Sequence, residues 1–294
     1  MSTNSQPRKP AGTPVGGQWA PATHAEPDIN LGHRVSDRQP KMSVLKHGTK
    51  RWRLDKQFHR VDGPAVEYPD GRKEWYKHGQ LHRDDGPAVE AADGRKEWYK
   101  HGKRHRLGGP AVENPLRGRE WWVDGEPHRD DGPAGEMLWG KVWYQHGQLH
   151  RTDGPAVEAA GGRKDWFQNG ERHRVDGPAV EYPDGRKEWF QNGERHRVDG
   201  PAVEAADGST WWYQHNKLHR DDGPAYENSD GAKGWYKNGE FHRDDGPAGE
   251  EADGTKEWRQ HNKRHRLDGP AVEHPDGTTE WWVDGKQVDP PIER

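Results

Sequence analysis

The sequence predicts an all-β fold, an elongated and twisted array of antiparallel β-hairpin repeats of solenoid type. Three observations lead there. Nearly everything after residue 40 repeats with a period of 23 residues, a length typical of stacked repeat architectures. Each period carries two Gly-containing hairpin signals and an internal Pro, which leaves no apolar stripe long enough for a helix. Hydrophobic residues make up 28% of the 294-residue chain, whereas Trp occurs 16 times and Gly 38 times. Burial therefore has to come from aromatic rings in a thin, turn-rich body rather than from an aliphatic globe.

The period is read from fixed columns. His-Arg pairs begin at His59, His82, His105, His128, His150, His173, His196, His219, His242 and His265. The steps are 23 residues except the one of 22 between His128 and His150. Seven residues before each His stands a Trp, from Trp52 to Trp258; Trp281 extends the column, and Val288 occupies the next His position. Gly-Pro-Ala follows four residues after each His, as in Gly86-Pro87-Ala88, and a Glu lies two residues beyond the Ala, from Glu67 to Glu273. The chain divides into an N-terminal arm (1–40), a partial or capping repeat (41–58), the tandem repeats (59–287) and a C-terminal tail (288–294).

The arm holds Pro7, Pro10, Pro14, Pro21 and Pro27 among small polar residues, without strand or helix periodicity, and is expected to be flexible. Its stretch Arg8 to Trp19, RKPAGTPVGGQW, resembles a short N-terminal motif carried by otherwise diverse bacterial and phage proteins. That resemblance implies nothing specific about activity.

Within the unit, Asp93-Gly94 marks one turn and His101-Gly102 a second. Both are expected to need positive backbone dihedrals, which Gly, Asn and Asp tolerate. Asn216 and Asn262 replace the Gly of the second turn, and His78, His101, His146, His215 and His261 read as turn residues. If both turns are two-residue loops, Val66 pairs with Trp75 and Trp75 with His82 on one face. Glu67, Glu74 and Arg83 then share the other face with Ala65, Tyr76 and Leu81, and Arg60 and Arg83 neutralise Glu67 and Glu74. Exposed ion pairs contribute about 0–1 kcal/mol each, against about 1.5–3 kcal/mol for burying a large apolar side chain, so Trp burial is expected to dominate. In the Asp-Gly-Pro link, Asp62 is expected to bond nearby backbone donors, Gly63 to lend conformational freedom and Pro64 to fix the exit. At two ladder strands per unit, ten units would span roughly 95 Å.

Copies differ in places. Gly135 and Gly249 replace the usual Val, Gly234 the usual Glu, Arg259 an aromatic residue, and Leu138-Trp139-Gly140 stands for an Asp-Gly turn beside the single-residue deletion. The segment Gly135 to Trp143 and the outward Lys, Gln and Arg positions are therefore better candidates for partner specificity than the invariant His-Arg pairs.

The recurring Trp-Tyr-Lys-His-Gly-Lys segment resembles membrane occupation and recognition nexus repeats, particularly their bacterial variants, over about residues 47–285. The resemblance implies repeated hairpins in an extended sheet and a role in protein association, lipid association or, as in some bacterial relatives, toxin neutralisation. The His-Arg-x-Asp-Gly-Pro-Ala segment is more regular than that family's pattern, and no catalytic residue carries over.

The remaining chemistry is negative. Lys and Arg number 46 against 50 Asp and Glu, with signs interspersed, so neither a nucleic-acid surface nor an acidic mimic is indicated. Cys is absent, which removes disulfides, thiolate catalysis and Cys-based metal sites. His78 and His82 have a four-residue spacing, but the turn between them spoils any helical zinc geometry. The carboxylates sit beside Arg, which favours ionisation over the raised pKa of a general acid. No catalytic residue, metal ligand or cofactor is assigned, and the expected activity is non-enzymatic. The candidate recognition row is Trp75, Trp98, Trp121, Trp143, Trp166, Trp189, Trp212, Trp235, Trp258 and Trp281. A protein partner is favoured, a glycan is the alternative through ring stacking, and a membrane surface ranks below both. No apolar run resembles a leader or a bilayer span, so a cytoplasmic placement is expected by default.

Overall fold

A computed structural model describes residues 39–291; the arm predicted for residues 1–40 lies outside it up to residue 38. The array opens with β1 (Lys41–Val44), β2 (Lys50–Leu54) and β3 (Gln57–Phe58). The first full unit supplies β4 (Val66–Glu67), β5 (Lys73–Glu74), β6 (Tyr76–Lys77) and β7 (Gln80–Leu81). All pairings are antiparallel, and the same four-strand pattern recurs through Lys286–Gln287. The result is an elongated β array without barrel closure.

Each unit is one forward and one return pass of the chain. The forward pass runs β5, Trp75, β6. The return pass runs β7, His82, then a five-residue loop, then Ala88 and the strand Val89–Glu90. Pairing along these two passes is unbroken: Lys77↔Gln80 and Tyr76↔Leu81 at one end, Glu74↔Val89 and Lys73↔Glu90 at the other. Between them the His82 N–H donates to the Trp75 carbonyl at 3.0 Å and the Trp75 N–H donates to the Ala88 carbonyl at 2.8 Å. One residue, Trp75, thus pinches the base of the loop Arg83–Pro87, which has no choice but to bulge from the sheet. Main-chain bonds therefore link consecutive units on both sides of the Trp, which satisfies the backbone in a body with little interior.

The first turn corrects the expected register. Tyr68 pairs with Arg72 through its N–H, and the Gly71 N–H returns to the Tyr68 carbonyl, so the loop is the three residues Pro69, Asp70 and Gly71. Pro at the second position, Asp at the third and Gly71 at φ 92° make a type I turn closed by a left-handed residue. The Asp70 carboxylate also accepts the Arg72 N–H at 2.9 Å. With one more loop residue than expected, Val66 faces Glu74 and Glu67 faces Lys73. A one-residue shift exchanges faces: Val66, Glu74 and Tyr76 share one side, while Glu67, Lys73 and Trp75 share the other. The expected Glu67–Glu74 repulsion does not arise.

The second turn has the two-residue form read from sequence, with His78 at φ 49° and Gly79 at φ 78°. Asn216 and Asn262, in the place of that Gly, adopt φ 61° and 66°, and each adds something the sequence did not announce. Their side-chain oxygens accept the N–H of Arg195 and of Phe241 in the preceding unit, both at 2.8 Å.

Burial is thin and regular. The Ala of every unit, from Ala65 to Ala271, is at most 2% exposed. Opposite the Val column lie carboxylates that are buried too, Glu74, Glu97, Asp165 and Glu188. Each is paired with cations: Glu97 accepts Arg95 at 2.7 Å and Arg104 at 3.1 Å, and Glu188 accepts Arg186 at 2.7 Å and Arg195 at 3.1 Å. Glu74 takes Arg72 and the hydroxyls of Tyr68 and Tyr76. The Arg83 expected to serve Glu74 instead serves Glu90.

The fourth unit keeps the ladder despite its deletion. Met137 pairs with Gly140 and Gly135 with Val142, so Leu138-Trp139 forms a two-residue loop where other units use three. The missing residue comes out of the turn, and Val142 still fills the Glu74 position. Leu138, Trp139 and the neighbouring Leu116 are 78%, 56% and 70% exposed at this rim.

Candidate recognition surface

The return-pass loop is built around its Arg. In the second unit, the Arg83 guanidinium lies 4.1 Å from the Trp75 ring centroid. Its Nε donates to Asp85 at 2.9 Å, and Nη1 donates to the Pro87 carbonyl at 3.2 Å and to Glu90 at 3.0 Å. The stacking recurs in all ten His-Arg units, from Trp52–Arg60 to Trp258–Arg266, at 3.8–4.2 Å. Each such contact contributes about 0.5–2 kcal/mol, more than an exposed ion pair of about 0–1 kcal/mol. The ring is the stronger anchor and the carboxylates set the angle. Hydrogen bonding to Arg60, Arg129 and Arg151 is the largest cause of the lowered pKa of Asp62, Asp131 and Asp153.

This hub accounts for two columns that the sequence reading explained differently. Asp62 takes the Arg60 side chain and not only a backbone donor. Gly63 and its equivalents do not adopt positive φ; a Cβ on Gly86 would stand 2.9 Å from the Arg83 guanidinium carbon, and on Gly200 2.6 Å from that of Arg197. The glycine gives the Arg room for its close approach and does not serve backbone freedom.

The column His is a stitch between units. Its Nδ1 accepts the main-chain N–H of the turn residue in the next unit in all ten cases, at 3.0–3.3 Å. Five of those turn residues are themselves His, so His59 meets His78 with ring centroids 4.6 Å apart, rather than His78 meeting His82. Burial, then the neighbouring His78 or His215, pushes the pKa of His59 and His196 down. Among the described residues no group of three or more His, Cys, Asp or Glu could hold a metal ion, and no helix is long and apolar enough to cross a membrane.

The Trp row of the sequence reading is therefore half-buried throughout. Trp75, Trp98, Trp121, Trp143, Trp166, Trp189, Trp212, Trp235 and Trp258 each carry an Arg on one face; at Trp281 the Arg position is Asp289. Between successive loops run open grooves of 380–600 Å³. One of 600 Å³ is floored by Trp75, Tyr76 and Lys77 and walled by Arg60 to Gly63 and His82 to Asp85.

One row of exposed apolar side chains was missed. They occupy the position between Arg and Asp-Gly: Val61, Leu107, Val175, Val198 and Leu267 are 75–88% exposed there. In four other units that position is Asp, and Asp84, Asp130, Asp221 and Asp244 lie 3.0–3.4 Å from Nε2 of their column His. The mixture of apolar and acidic residues at one column, with Thr152 in the remaining unit, was visible in the sequence. Its meaning depended on knowing that the loop bulges outward.

Comparison with known proteins adds no assignment: no protein-family model and no curated protein matches the chain.

Proposed function

We propose that the chain is a non-enzymatic scaffold that binds a protein partner along the ridge of return-pass loops. The observation that carries this reading is the row of Val61, Leu107, Val175, Val198 and Leu267. Their exposure contributes nothing to folding, yet all five hold one position of the repeat. Isolated surface apolar residues need no explanation, but a register of them does. Their order along the ridge, interrupted by Asp84, Asp130, Asp221 and Asp244, supplies a pattern by which one partner is told from another, through attraction and through charges that a wrong partner would desolvate. Equal spacing lets several weak contacts add when the partner's spacing matches.

The resemblance to membrane occupation and recognition nexus repeats supports binding over catalysis, and a toxin is one partner of the proposed kind. Sugar stacking on the Trp row is less favoured, because Arg already occupies a ring face in ten units.

The test compares the full chain with a variant carrying V61S, L107S, V175S, V198S and L267S, each used as bait in quantitative affinity capture. Proteins retained by the first and lost by the second are expected. Equal recovery by both baits, together with selective binding on a glycan array, sinks the proposal. Sedimentation with anionic and neutral liposomes reads the membrane alternative separately.

A further inference from the structure

The two ends of the described array are the two halves of one return pass. At the C-terminal end, Lys286–Gln287 pairs with Trp282–Val283 and the Val288 N–H reaches the Trp281 carbonyl. This is the first half of a pass, the part built by β7 and His82 elsewhere. The second half is missing: among the described residues, strand Thr279–Glu280 is paired on one side only, with Val272–Glu273. At the N-terminal end, β1 is the second half alone. Ser43 faces Arg51 as Val66 faces Glu74, and the outer side of β1 is unpaired among the described residues. The loop Lys46-His47-Gly48 closes like Pro69-Asp70-Gly71, with the Gly48 N–H on the Leu45 carbonyl.

We infer that copies of this chain associate head to tail, Lys286–Val288 of one copy and Met42–Val44 of the next together forming a complete return pass. By the register of every internal junction, Val44 then faces Thr279, Ser43 faces Glu280, and the Trp281 N–H meets the Met42 carbonyl as Trp75 meets Ala88. Two further observations point to a second copy as the occupant. The apolar residues Met42, Val44 and Val288 are 56%, 56% and 41% exposed, and all three lie at these ends. The ends also carry opposite charge. Residues 41–58 hold Lys41, Lys46, Lys50, Arg51, Arg53 and Lys56 against Asp55, whereas residues 274–291 hold Asp276, Glu280, Asp284 and Asp289 against Lys286. Opposite patches steer encounter and fix orientation. The junction lacks the stitch of internal ones, because Val288 replaces the imidazole acceptor, so association is weaker than folding and reversible.

This surface is separate from the loop ridge, and its test uses no partner. Sedimentation velocity of the full chain is expected to show weight-average mass at least doubling as concentration rises through the micromolar range in dilute salt. About 0.5 M salt, where screening reaches only a few ångströms, should reverse that rise. The paired substitutions M42D/V44D and T279K/V288K alter exposed positions, and circular dichroism matching the unsubstituted chain will show that both fold. Each pair alone should abolish association, and the quadruple variant, in which the introduced carboxylates meet the introduced ammonium groups across the junction, should recover it. A chain that remains monomeric at all concentrations in dilute salt overturns the inference. So does association that survives either pair, or a quadruple variant no more associated than its parents, the result expected of like-with-like contacts.

Discussion

The main-chain N–H of His101 donates to Nδ1 of His82 across the boundary between two units, at 3.1 Å. Because Nδ1 is the acceptor, the bond needs an imidazole without a proton on that nitrogen. Ten such contacts run down the array; at His105 and His265 the same Nδ1 also lies 2.9–3.0 Å from an Asp carboxylate, whereas at a column His such as His82 or His59, which has no such neighbour, protonation there turns an attraction into two opposed N–H groups.

Acid should therefore loosen the array. For His59 and His196 the folded chain holds the pKa below the ordinary 6.5, chiefly by burial. A depressed His pKa means that the unfolded chain takes up protons first, so the stabilisation is complete above pH 6.5 and is lost as pH falls below it. His78 and Lys77 act in the same direction at His59, while Glu194 opposes at His196. Melting temperature is expected to drop between pH 7 and pH 5, and H59N/H196N, which keeps an acceptor but cannot titrate, should flatten that drop. A melting temperature constant across this range would refute the assignment.

Gly86→Ala should cost about 1–3 kcal/mol, the usual range for forcing a methyl into a packed site, because its Cβ meets the Arg83 guanidinium carbon at 2.9 Å. The cost should shrink in an Arg83→Ala background. A thermal-unfolding double-mutant cycle reads the coupling; an additive pair would place the glycine requirement elsewhere.

Replacing Leu138-Trp139 by Pro-Asp-Gly should keep the Gly135↔Val142 pair, as Val66↔Glu74 pairs across the longer loop, and cost no more than about 0.5–1.5 kcal/mol for the bond from the Leu138 N–H to the Arg117 carbonyl that Pro removes. Unfolding by denaturant, followed by circular dichroism, checks it. A loss well beyond that range would mean that the shorter loop contributes to the fold.

Asn216→Gly provides a reversed expectation. Gly is the easier residue at φ 61°, yet the substitution removes the acceptor of the Arg195 N–H. A net loss of about 0.5–1.5 kcal/mol is expected from that hydrogen bond. A stabilised variant would show that turn strain outweighs it.

How much was legible in the sequence follows from which interactions are local. The period, the two turns per unit and the left-handed His and Asn positions were readable, because each is dictated by a few consecutive residues. The register was not, since Asp-Gly suits both a two-residue loop and the end of a three-residue one. Pro69 immediately before Asp70 was the cue for the longer form. The Arg–Trp contact spans eight residues around a bulge that no local pattern announces, so the Arg was read as serving carboxylates alone. Half of that reading holds, since Arg60 does reach Glu67 at 3.3 Å. The exposure of the column headed by Val61 was not legible, because the outward bulge of its loop follows from main-chain bonds between passes, such as those of Trp75 to His82 and Ala88, rather than from any local pattern.

The stitch from His82 to His101 joins each unit only to the next, and every junction is built the same way. Cutting the period at any point and duplicating or deleting one full turn of it returns the same set of junctions. Each unit gained in this way would lengthen the ridge by about 9.5 Å, the width of two strands, while both ends keep their own character.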